Sequence, residues 1–390
     1  MSATQLDSAE RALVNLIRHA FPLTPDAPTA PVTVTDWSQL VRAAETHALA
    51  PLAYAALNQS GRSNDAPASV RDQLRVAYLR SNVANWLAFQ ELDCLLEMFG
   101  REQIPVVVLK GGALAHALYG DPALRPMMDL DLLMPSSYQM RVSDLLAQQG
   151  YSSPTELAKG FGERFSNYQG FERGGNRPSH LEIHWHLFKS PYYCERIPID
   201  WFWDRTMEIS IGGARARVFD PNAQLVHLCA HFALHHQAAR LLWSYDIARF
   251  LTRYGSKLDW SQVIDAAKRF GLSQAIELSL ARVVETWQIP LPADVFQRLR
   301  AARPTLGQRI AFAMLTAPRG EARVILDTLS APDLSGRLAF GLRHIFPSAE
   351  YMRERYRIRE MRLLPLYYAR RPADGARKLG RSMISMITNH

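Results

Sequence analysis

The sequence predicts an α+β fold, in which a short mixed sheet with its helices is flanked by N- and C-terminal helical regions. Apolar residues recur at helical spacing over residues 1–100, short β-branched runs alternate with turns and helices over 101–220, and helical patterns dominate after that. We therefore expect a helical N-terminal region (1–100), an α/β core (101–220), a helical domain (221–300) and a helical, basic C-terminal region (301–390).

The composition is that of a globular protein with a sizeable core. Of the 390 residues, 48% are hydrophobic and 21% are charged, which excludes a disordered chain. The three cysteines are far apart, so neither a thiolate metal motif nor a disulfide framework is predicted, and a reducing, cytoplasmic location fits. The first residues lack the pattern of a secretory signal, and no apolar run of about 18 residues predicts a membrane span.

The net charge of +8 is concentrated in the last forty residues. The segment Tyr351–His390 contains ten basic and three acidic side chains, which account for most of the excess. Such a segment suits a polyanionic partner or an anionic membrane surface, although a solvated helical surface explains it without any partner.

Local patterns predict each element in turn. Helices are predicted in DWSQLVRAAETHALAPLAYAAL and SNVANWLAFQELDCLLEMFG, because apolar residues share one helical face. The run IPVVVLK is predicted to be a buried strand that Gly111 and Gly112 end, and ALAHALYG is predicted to be a helix closed by Gly120. Two further strands are expected in MMDLDLLMP and HLEIHWHLF, and a hairpin in EISIGGARARVF. Asp220 and Pro221 have the pattern of a helix N-cap followed by a first-turn proline.

Two aspartates one residue apart, Asp129 and Asp131, form the first candidate site. On a strand, side chains at positions i and i+2 point to one face, about 6–7 Å apart, so the two carboxylates repel each other. A divalent cation between them would convert this repulsion into binding, and carboxylate oxygens suit magnesium. The pattern also occurs in ordinary strands, so it is weak evidence by itself.

A basic, glycine-containing segment precedes the two aspartates. Lys110, Gly111 and Gly112 stand between a predicted strand and a predicted helix, where backbone N–H groups and the helix dipole favour phosphate. The lysine would add a positive charge. The spacing is neither that of a Walker A loop nor that of G-x-G-x-x-G, and a plain strand-to-helix turn also explains the glycines.

Polar titratable side chains alternate with apolar ones in SHLEIHWHLF. The polar members are predicted to share one strand face and to line a site or solvent: His180, Glu182, His184 and His186. Glu182 would complete a carboxylate trio with the two aspartates, either as a metal ligand or as a general base. A surface strand edge with scattered histidines is the alternative interpretation.

Together these motifs resemble a known family, the bacterial uncharacterised nucleotidyltransferases of the polymerase-beta-like superfamily. The resemblance is carried by VLKGGALAHALYGDPALRPMMDLDLLMP, LEIHWHL and HLCAHFALHHQAARLLWSYDIARFL, and it spans roughly Asp36 to Trp260. The LKGG and DLDL parts also look like the abortive-infection toxin nucleotidyltransferases. The loop between Gly112 and Asp129 is longer than in the superfamily generally, and the closer family shares that long loop.

The resemblance implies a nucleotidyltransferase core over 101–220 and a helical domain, 221–300, that packs on the active site. It gives metal-binding and catalytic roles to Asp129, Asp131 and Glu182. It gives nucleotide-binding roles to Lys110, Gly111, Gly112 and Arg125. Contacts with the acceptor, or indirect support of the site, are expected from His184, His231 and Asp246.

The implied reaction is in-line attack of an acceptor hydroxyl on the α-phosphate of an NTP such as ATP, with pyrophosphate leaving and with Mg²⁺ or Mn²⁺ as the cofactor. The acceptor stays open among a small molecule, a sugar, a peptide or protein side chain, and an RNA end. The family's association with polysaccharide and peptide tailoring bears on that choice. Two other functions compete: a non-catalytic nucleotide-binding scaffold, and a peripheral membrane adaptor that acts through Tyr351–His390.

One further pattern lies in VHLCAHFALHHQ, where His227, His231 and His235 recur every four residues on one helical face. Histidines at this spacing can bind zinc, but the H-E-x-x-H arrangement is missing. A packed polar face or a wall near the active site is therefore preferred.

Overall fold

The computed structural model describes residues 6–24, 33–153, 167–175, 179–211, 213–317, 321–331, 333–347, 349–358, 360–371 and 374. Contacts divide the chain into two compact units. The larger comprises the described residues of Ala3–Leu187 and Pro198–Arg303, and the smaller comprises those of Phe188–Ile197 and Pro304–His390. Many helices combined with a small mixed sheet confirm the predicted α+β class. The four predicted segments are a finer division than these two units and remain a prediction.

Four helices precede the sheet in the larger unit. They are α1 (Ser8–Ala20), α2 (Trp37–Thr46), α3 (Ala50–Gln59) and α4 (Ala68–Arg101). The Asp7 carboxylate accepts a hydrogen bond from the first turn of α1, and the Asp36 carboxylate does the same for α2, because those N–H groups have no partner within the helix. The long helix α4 buries Leu92, Leu95 and Phe99 against the sheet and thereby forms one wall of the core.

A four-stranded mixed sheet forms the centre of the larger unit. Its elements follow in the order β1 (Val107–Val108), α5 (Lys110–Tyr119), β2 (Leu130–Leu133), α6 (Gln139–Gln148), β3 (Tyr168–Arg173) and β4 (Ser179–His184). The spatial order is β1-β2-β4-β3, in which β2 and β4 are parallel and the other pairs are antiparallel. The sheet thus places β2 and β4, the two strands with acidic side chains, next to each other.

The alternation of polar and apolar side chains along β2 and β4 follows the prediction. Leu130, Leu132, Leu181 and Ile183 are buried in one hydrophobic cluster with residues of α4 and α6. Because successive side chains of a strand point to opposite faces, the acidic side chains between these leucines and isoleucine face away from that cluster.

The structure corrects the predicted secondary structure at the two glycines after β1. They were expected to end a strand, but α5 begins at Lys110 and both glycines lie in its first turn. A Cβ atom on Gly111 would lie 2.3 Å from the Arg125 Nη1 atom, and one on Gly112 would lie 2.9 Å from the Val108 Cγ1 atom. The glycines therefore permit close packing of the helix start. Gly120, with a φ of 71°, closes α5 as predicted.

Two strands and a series of helices complete the larger unit. The predicted hairpin is present as β5 (Thr206–Ile211) and β6 (Ala214–Phe219), although Gly212 in its turn lies outside the described residues. Single helical turns occur at Pro191–Cys194, in the smaller unit, and at Asp200–Trp203. The helices that follow are α7 (Pro221–His236), α8 (Leu241–Tyr254), α9 (Trp260–Arg269), α10 (Ser273–Trp287) and α11 (Val295–Arg300). The N-cap predicted at Asp220 is confirmed, since its carboxylate accepts a hydrogen bond of 2.8 Å from the Ala223 N–H.

The smaller unit contains the remaining helices. They are α12 (Leu306–Thr316), α13 (Glu321–Ser330), α14 (Leu334–Ile345) and α15 (Ala349–Tyr356). The last part of the basic segment Tyr351–His390, residues 375–390, lies outside the described residues. Within the described chain, no helix combines the length and the apolar character that a bilayer crossing requires.

Candidate active site

Three side chains of types that can bind a metal ion converge where β2 and β4 run side by side. The parallel register pairs Asp131 with Glu182, so their carboxylates lie on the same face of the sheet. His184 follows two residues later on β4 and points to that face as well. One ligand atom from each of these three side chains lies within 4.8 Å of the others, which is close enough to share a cation.

Asp131 is the buried centre of this group, with only 2% of its surface exposed. Its Oδ1 atom accepts a hydrogen bond of 2.5 Å from the Lys110 ammonium and lies 2.8 Å from the Nε2 atom of His184. Burial alone would raise the pKa of Asp131, but the Lys110 charge and the His184 hydrogen bond together hold this pKa well below its ordinary value. Asp131 is therefore an anion at any physiological pH.

Lys110 joins the site to the start of α5. Its Nζ atom lies 3.8 Å from the Glu182 Oε2 atom in addition to its contact with Asp131. Burial alone would lower the pKa of Lys110, but the negative charges of Asp131 and Glu182 raise it above its ordinary value. The N–H groups in the first turn of α5 lack partners inside the helix, so the site contains both a cation and a helix N-terminus.

Asp129 lies one residue before β2 and outside the group of three ligands. Burial and the neighbouring Asp131 charge raise the pKa of Asp129 to about 6. Among the described residues, none donates a hydrogen bond to its carboxylate. Asp129 is thus the acidic side chain of the site whose charge is least compensated.

Arg125 does not present a free guanidinium to the site. It is 3% exposed, and its Nη2 atom lies 2.8 Å from the Oδ2 atom of Asp246, a fully buried residue of α8. The hydroxyl of Tyr119 donates a further hydrogen bond of 2.6 Å to the same carboxylate. Because the Arg125 guanidinium lies against Gly111, the buried cluster of Arg125, Asp246 and Tyr119 packs on the start of α5 and supports it.

The histidines of α7 form a buried polar face near the site. His227 and His231 are 1% and 4% exposed, and the ring centroids of these two residues are 5.8 Å apart. Burial lowers the pKa of His227 to about 3, with further contributions from Lys110 and His184, so this imidazole is neutral. Burial also lowers the pKa of His231 well below its ordinary value.

A zinc site on α7 gains no support from the geometry of these histidines. In the part of the chain that the structure describes, the only group of three convergent metal ligands is the one at Asp131. The His231 Nε2 atom instead lies 3.0 Å from the Nε2 atom of His236, and the His236 ring stacks on Trp243. The burial of His231 and Asp246 favours an indirect role for both over a direct contact with the acceptor.

The four polar side chains that were predicted to share one strand face in SHLEIHWHLF have different positions around β4. Glu182 and His184 belong to the site, whereas His180 is largely exposed and its Nδ1 atom lies 3.5 Å from the Oε1 atom of Glu172. His186 lies beyond the end of β4, where its N–H donates to the Asn167 carbonyl. The alternation of polar and apolar residues therefore continues beyond His184, where β4 ends.

Sequence reasoning missed Tyr168, whose ring stacks on that of His184 with centroids 5.3 Å apart. The antiparallel register of β3 and β4 pairs these two residues directly. The only signal in the sequence is an aromatic residue in a polar stretch, because register depends on pairing between strands.

Comparison with known proteins gives one family and a structural similarity. A family model described as "Uncharacterised nucleotidyltransferase" matches residues 33–288, about two thirds of the chain. One similar solved structure is that of an antigenic nucleotidyltransferase-like protein from Paracoccidioides brasiliensis. It is 15% identical, and the match covers 54% of this chain and 96% of that protein, with a TM-score of 0.35. A search of curated proteins gives no match.

Proposed function

We propose that this chain, which belongs to the uncharacterised nucleotidyltransferase family, transfers a nucleoside monophosphate from an NTP to an acceptor hydroxyl with the help of a divalent cation. The transferase class comes from the family. The cation, the residue roles and the mechanism are our proposal. The observation that carries it is the pairing of Asp131 with Glu182 on neighbouring parallel strands, opposite Lys110 at the N-terminus of α5.

The donor atoms of the site suit a divalent cation. Asp131 and Glu182 offer carboxylate oxygens, and His184 offers an imidazole nitrogen within the same 4.8 Å. Oxygen ligands suit Mg²⁺, and the added nitrogen suits Mn²⁺. Asp129, one strand step away, supplies a further carboxylate. When bound, such a cation would neutralise charge on the reacting phosphates.

The start of α5 is proposed to hold the phosphates. Gly111 and Gly112 let the first turn of α5 pack closely on Arg125 and Val108. The N–H groups of that turn have no partner inside the helix, and the helix dipole favours an anion there. Lys110 would exchange part of its contact with Asp131 for a phosphate oxygen, since it is the first residue of α5 and its ammonium already contacts that carboxylate. Arg125 would act indirectly, by fixing the backbone of Gly111.

The proposed step forms one bond and breaks one. The acceptor oxygen attacks the α-phosphorus, the bond from that phosphorus to the bridging oxygen breaks, and pyrophosphate leaves with the electron pair. The hydroxyl proton passes to Glu182, whose side chain is 22% exposed compared with 3% for Asp131. Asp131 would remain an anion throughout, because its pKa is held low.

The test is incorporation of label from α-labelled NTPs in the presence of Mg²⁺ or Mn²⁺ and an extract that supplies acceptors. We expect Asp131→Asn to reduce transfer by more than about 100-fold, since changes behind the ligands alone cost 10–100-fold in comparable sites. Asp265→Asn, which removes a carboxylate from the exposed face of α9, should leave transfer unchanged. Equal transfer by wild type and Asp131→Asn would refute the proposed site. Nucleotide binding without transfer to any acceptor would favour the scaffold function.

A further inference from the structure

A groove lies beside the candidate site. It has a volume of about 350 Å³ and lies between one face of α4 and the segments that lead into β2 and β4. Asp129 is one of its lining residues, whereas Asp131 and Glu182 are not, so the groove adjoins the candidate site at Asp129. A pocket of this volume is in the range that small organic molecules occupy.

The groove wall is mostly apolar. From α4 come Ala84, Leu87 and Ala88, and from the segment before β2 come Met127 and Met128. Met128 is 83% exposed, more than any other large apolar side chain in the described part of the chain. Exposed apolar surface that lies in a concave site next to polar groups is typical of a binding site for an organic molecule.

The polar lining combines two carboxylates with the uncharged side chains of Gln90 and Ser179 and the imidazole of His180. The described residues around the groove include Asp129 and Glu91 but no lysine or arginine. Glu91 accepts hydrogen bonds from Arg173 and Tyr151, so its charge is compensated, whereas the Asp129 carboxylate accepts none from described residues. A phosphorylated sugar or a nucleic-acid end would meet negative charge here without the basic side chains that such ligands need.

We propose that this groove is the acceptor site and that it binds a small, uncharged or cationic hydroxyl compound with an apolar body. This inference rests on the proposed transfer function. The apolar body lies along Ala84, Leu87 and Met128. The hydroxyl lies where the groove meets the candidate site, between Asp129 and Glu182, whose charges interact, so that Glu182 can accept its proton. The triphosphate stays outside the groove, on the side of Lys110.

Cys94 provides a means to block the groove in the wild-type protein. Its thiol lies at the lining of the groove and is exposed. Burial raises the pKa of the other two thiols, Cys194 and Cys229, so they react more slowly. A bulky aryl maleimide on Cys94 would fill the groove, a methylthio group from a small thiosulfonate would leave most of it open, and Cys94→Ser would remain insensitive to both reagents.

The experiment measures two properties of each protein. The first is binding of an NTP with Mn²⁺, followed by calorimetry. The second is transfer of label from α-labelled NTPs to an extract that has been separated into macromolecules, small anions, and small neutral or cationic compounds. We expect transfer to the last fraction, reduced more than about tenfold by the aryl maleimide and unaffected by the methylthio group, with unchanged binding of the Mn²⁺–NTP complex.

Other outcomes overturn the inference in recognisable ways. If the aryl maleimide abolishes binding of the Mn²⁺–NTP complex, the groove holds the nucleotide and not the acceptor. If label enters the anionic or macromolecular fraction instead, or if blocked protein transfers label as fast as unblocked protein, the assignment of the groove is wrong while the transfer function stands. If the wild-type protein does not bind the Mn²⁺–NTP complex, the proposed function itself fails, and the groove assignment fails with it.

Discussion

Lys110 combines a strained backbone with a central electrostatic position. Its φ of 44° lies in the left-handed region, which costs a non-glycine residue of order 1 kcal/mol or more. The strain persists because the Leu109 N–H donates to the Asp131 carbonyl and the Lys110 ammonium contacts the Asp131 carboxylate. Backbone and side chain thus hold the same aspartate, which ties the start of α5 to β2.

At the residue scale, the first prediction concerns the effect of Asp129 on stability. Its pKa in the folded, cation-free protein is about 6 compared with 3.8 normally, so folding favours the protonated acid. The stabilisation is complete below the unfolded pKa and is lost as pH rises through 6. Asp129→Asn should therefore raise the free energy of unfolding at pH 7.5 by roughly 1–3 kcal/mol, since one pKa unit corresponds to about 1.4 kcal/mol.

Urea unfolding in the presence of a chelator measures this difference. It should shrink toward zero below about pH 3, where Asp129 is protonated in both the folded and the unfolded state because the pH lies below both pKa values. Added Mn²⁺ should stabilise the wild type more than the variant. A wild-type protein as stable as Asp129→Asn at pH 7.5 without cation would contradict the raised pKa.

The second prediction at the residue scale concerns a substitution of Gly111. Alanine in a helix is normally more stable than glycine by up to about 1 kcal/mol. At Gly111 the new Cβ atom would lie 2.3 Å from the Arg125 guanidinium, so Gly111→Ala should instead destabilise the protein by about 1–3 kcal/mol. Gly100→Ala on α4 is the matched control, because nothing lies within 4 Å of its Cβ position, and it should stabilise. Thermal unfolding of both variants checks the opposite signs.

At the scale of the element, α7 depends on its N-terminal cap. Asp220 accepts the hydrogen bond from Ala223 N–H, and Pro221 in the first turn has no N–H to satisfy. The helix is buried over most of its length, so its position determines that of the histidine face near the site.

Removing the cap should therefore weaken α7 measurably. We expect Asp220→Ala to lower the free energy of unfolding by about 0.5–2 kcal/mol, the usual cost of a lost N-cap. Asp265→Ala, at an exposed position inside α9, changes the same side chain without removing a cap and should cost much less. Chemical denaturation compares the two variants. Equal losses would show that the Asp220 cap contributes little.

At the scale of the whole molecule, the Arg125–Asp246 ion pair connects the segment before β2 with α8. The chain separation is 121 residues, and both side chains are buried. The pair lies within the larger unit, together with Tyr119 of α5. The ion pair thus links a residue of the predicted α/β core (101–220) with a residue of the predicted helical domain (221–300).

Breaking one side of this pair should cost more than removing both. Asp246→Leu leaves the Arg125 charge buried and unpaired, so we expect a loss of about 3–5 kcal/mol. The double variant Arg125→Met/Asp246→Leu should recover a large part of that loss, because no buried charge remains. A double-mutant cycle by urea unfolding measures the coupling. Strictly additive losses would mean that the two residues do not interact.

The sequence by itself determined what depends on local order. The α+β class, the strands around Asp131 and Glu182, the Asp220 cap and the carboxylates of the site all follow from periodicity, turn residues and motif chemistry, which act between near neighbours in the chain. These features have direct signatures in the residues printed. Even the resemblance to the family depends on such short motifs.

Tertiary structure decided what depends on pairing and burial. Only the parallel register of β2 and β4 brings His184 beside Asp131, and only the antiparallel register of β3 and β4 puts Tyr168 over the His184 ring. Only packing shows that Asp246 neutralises Arg125. The first-turn position of Gly111 also depends on the distant Arg125 side chain. Register and burial are set by contacts between residues far apart in sequence, so no local pattern specifies them.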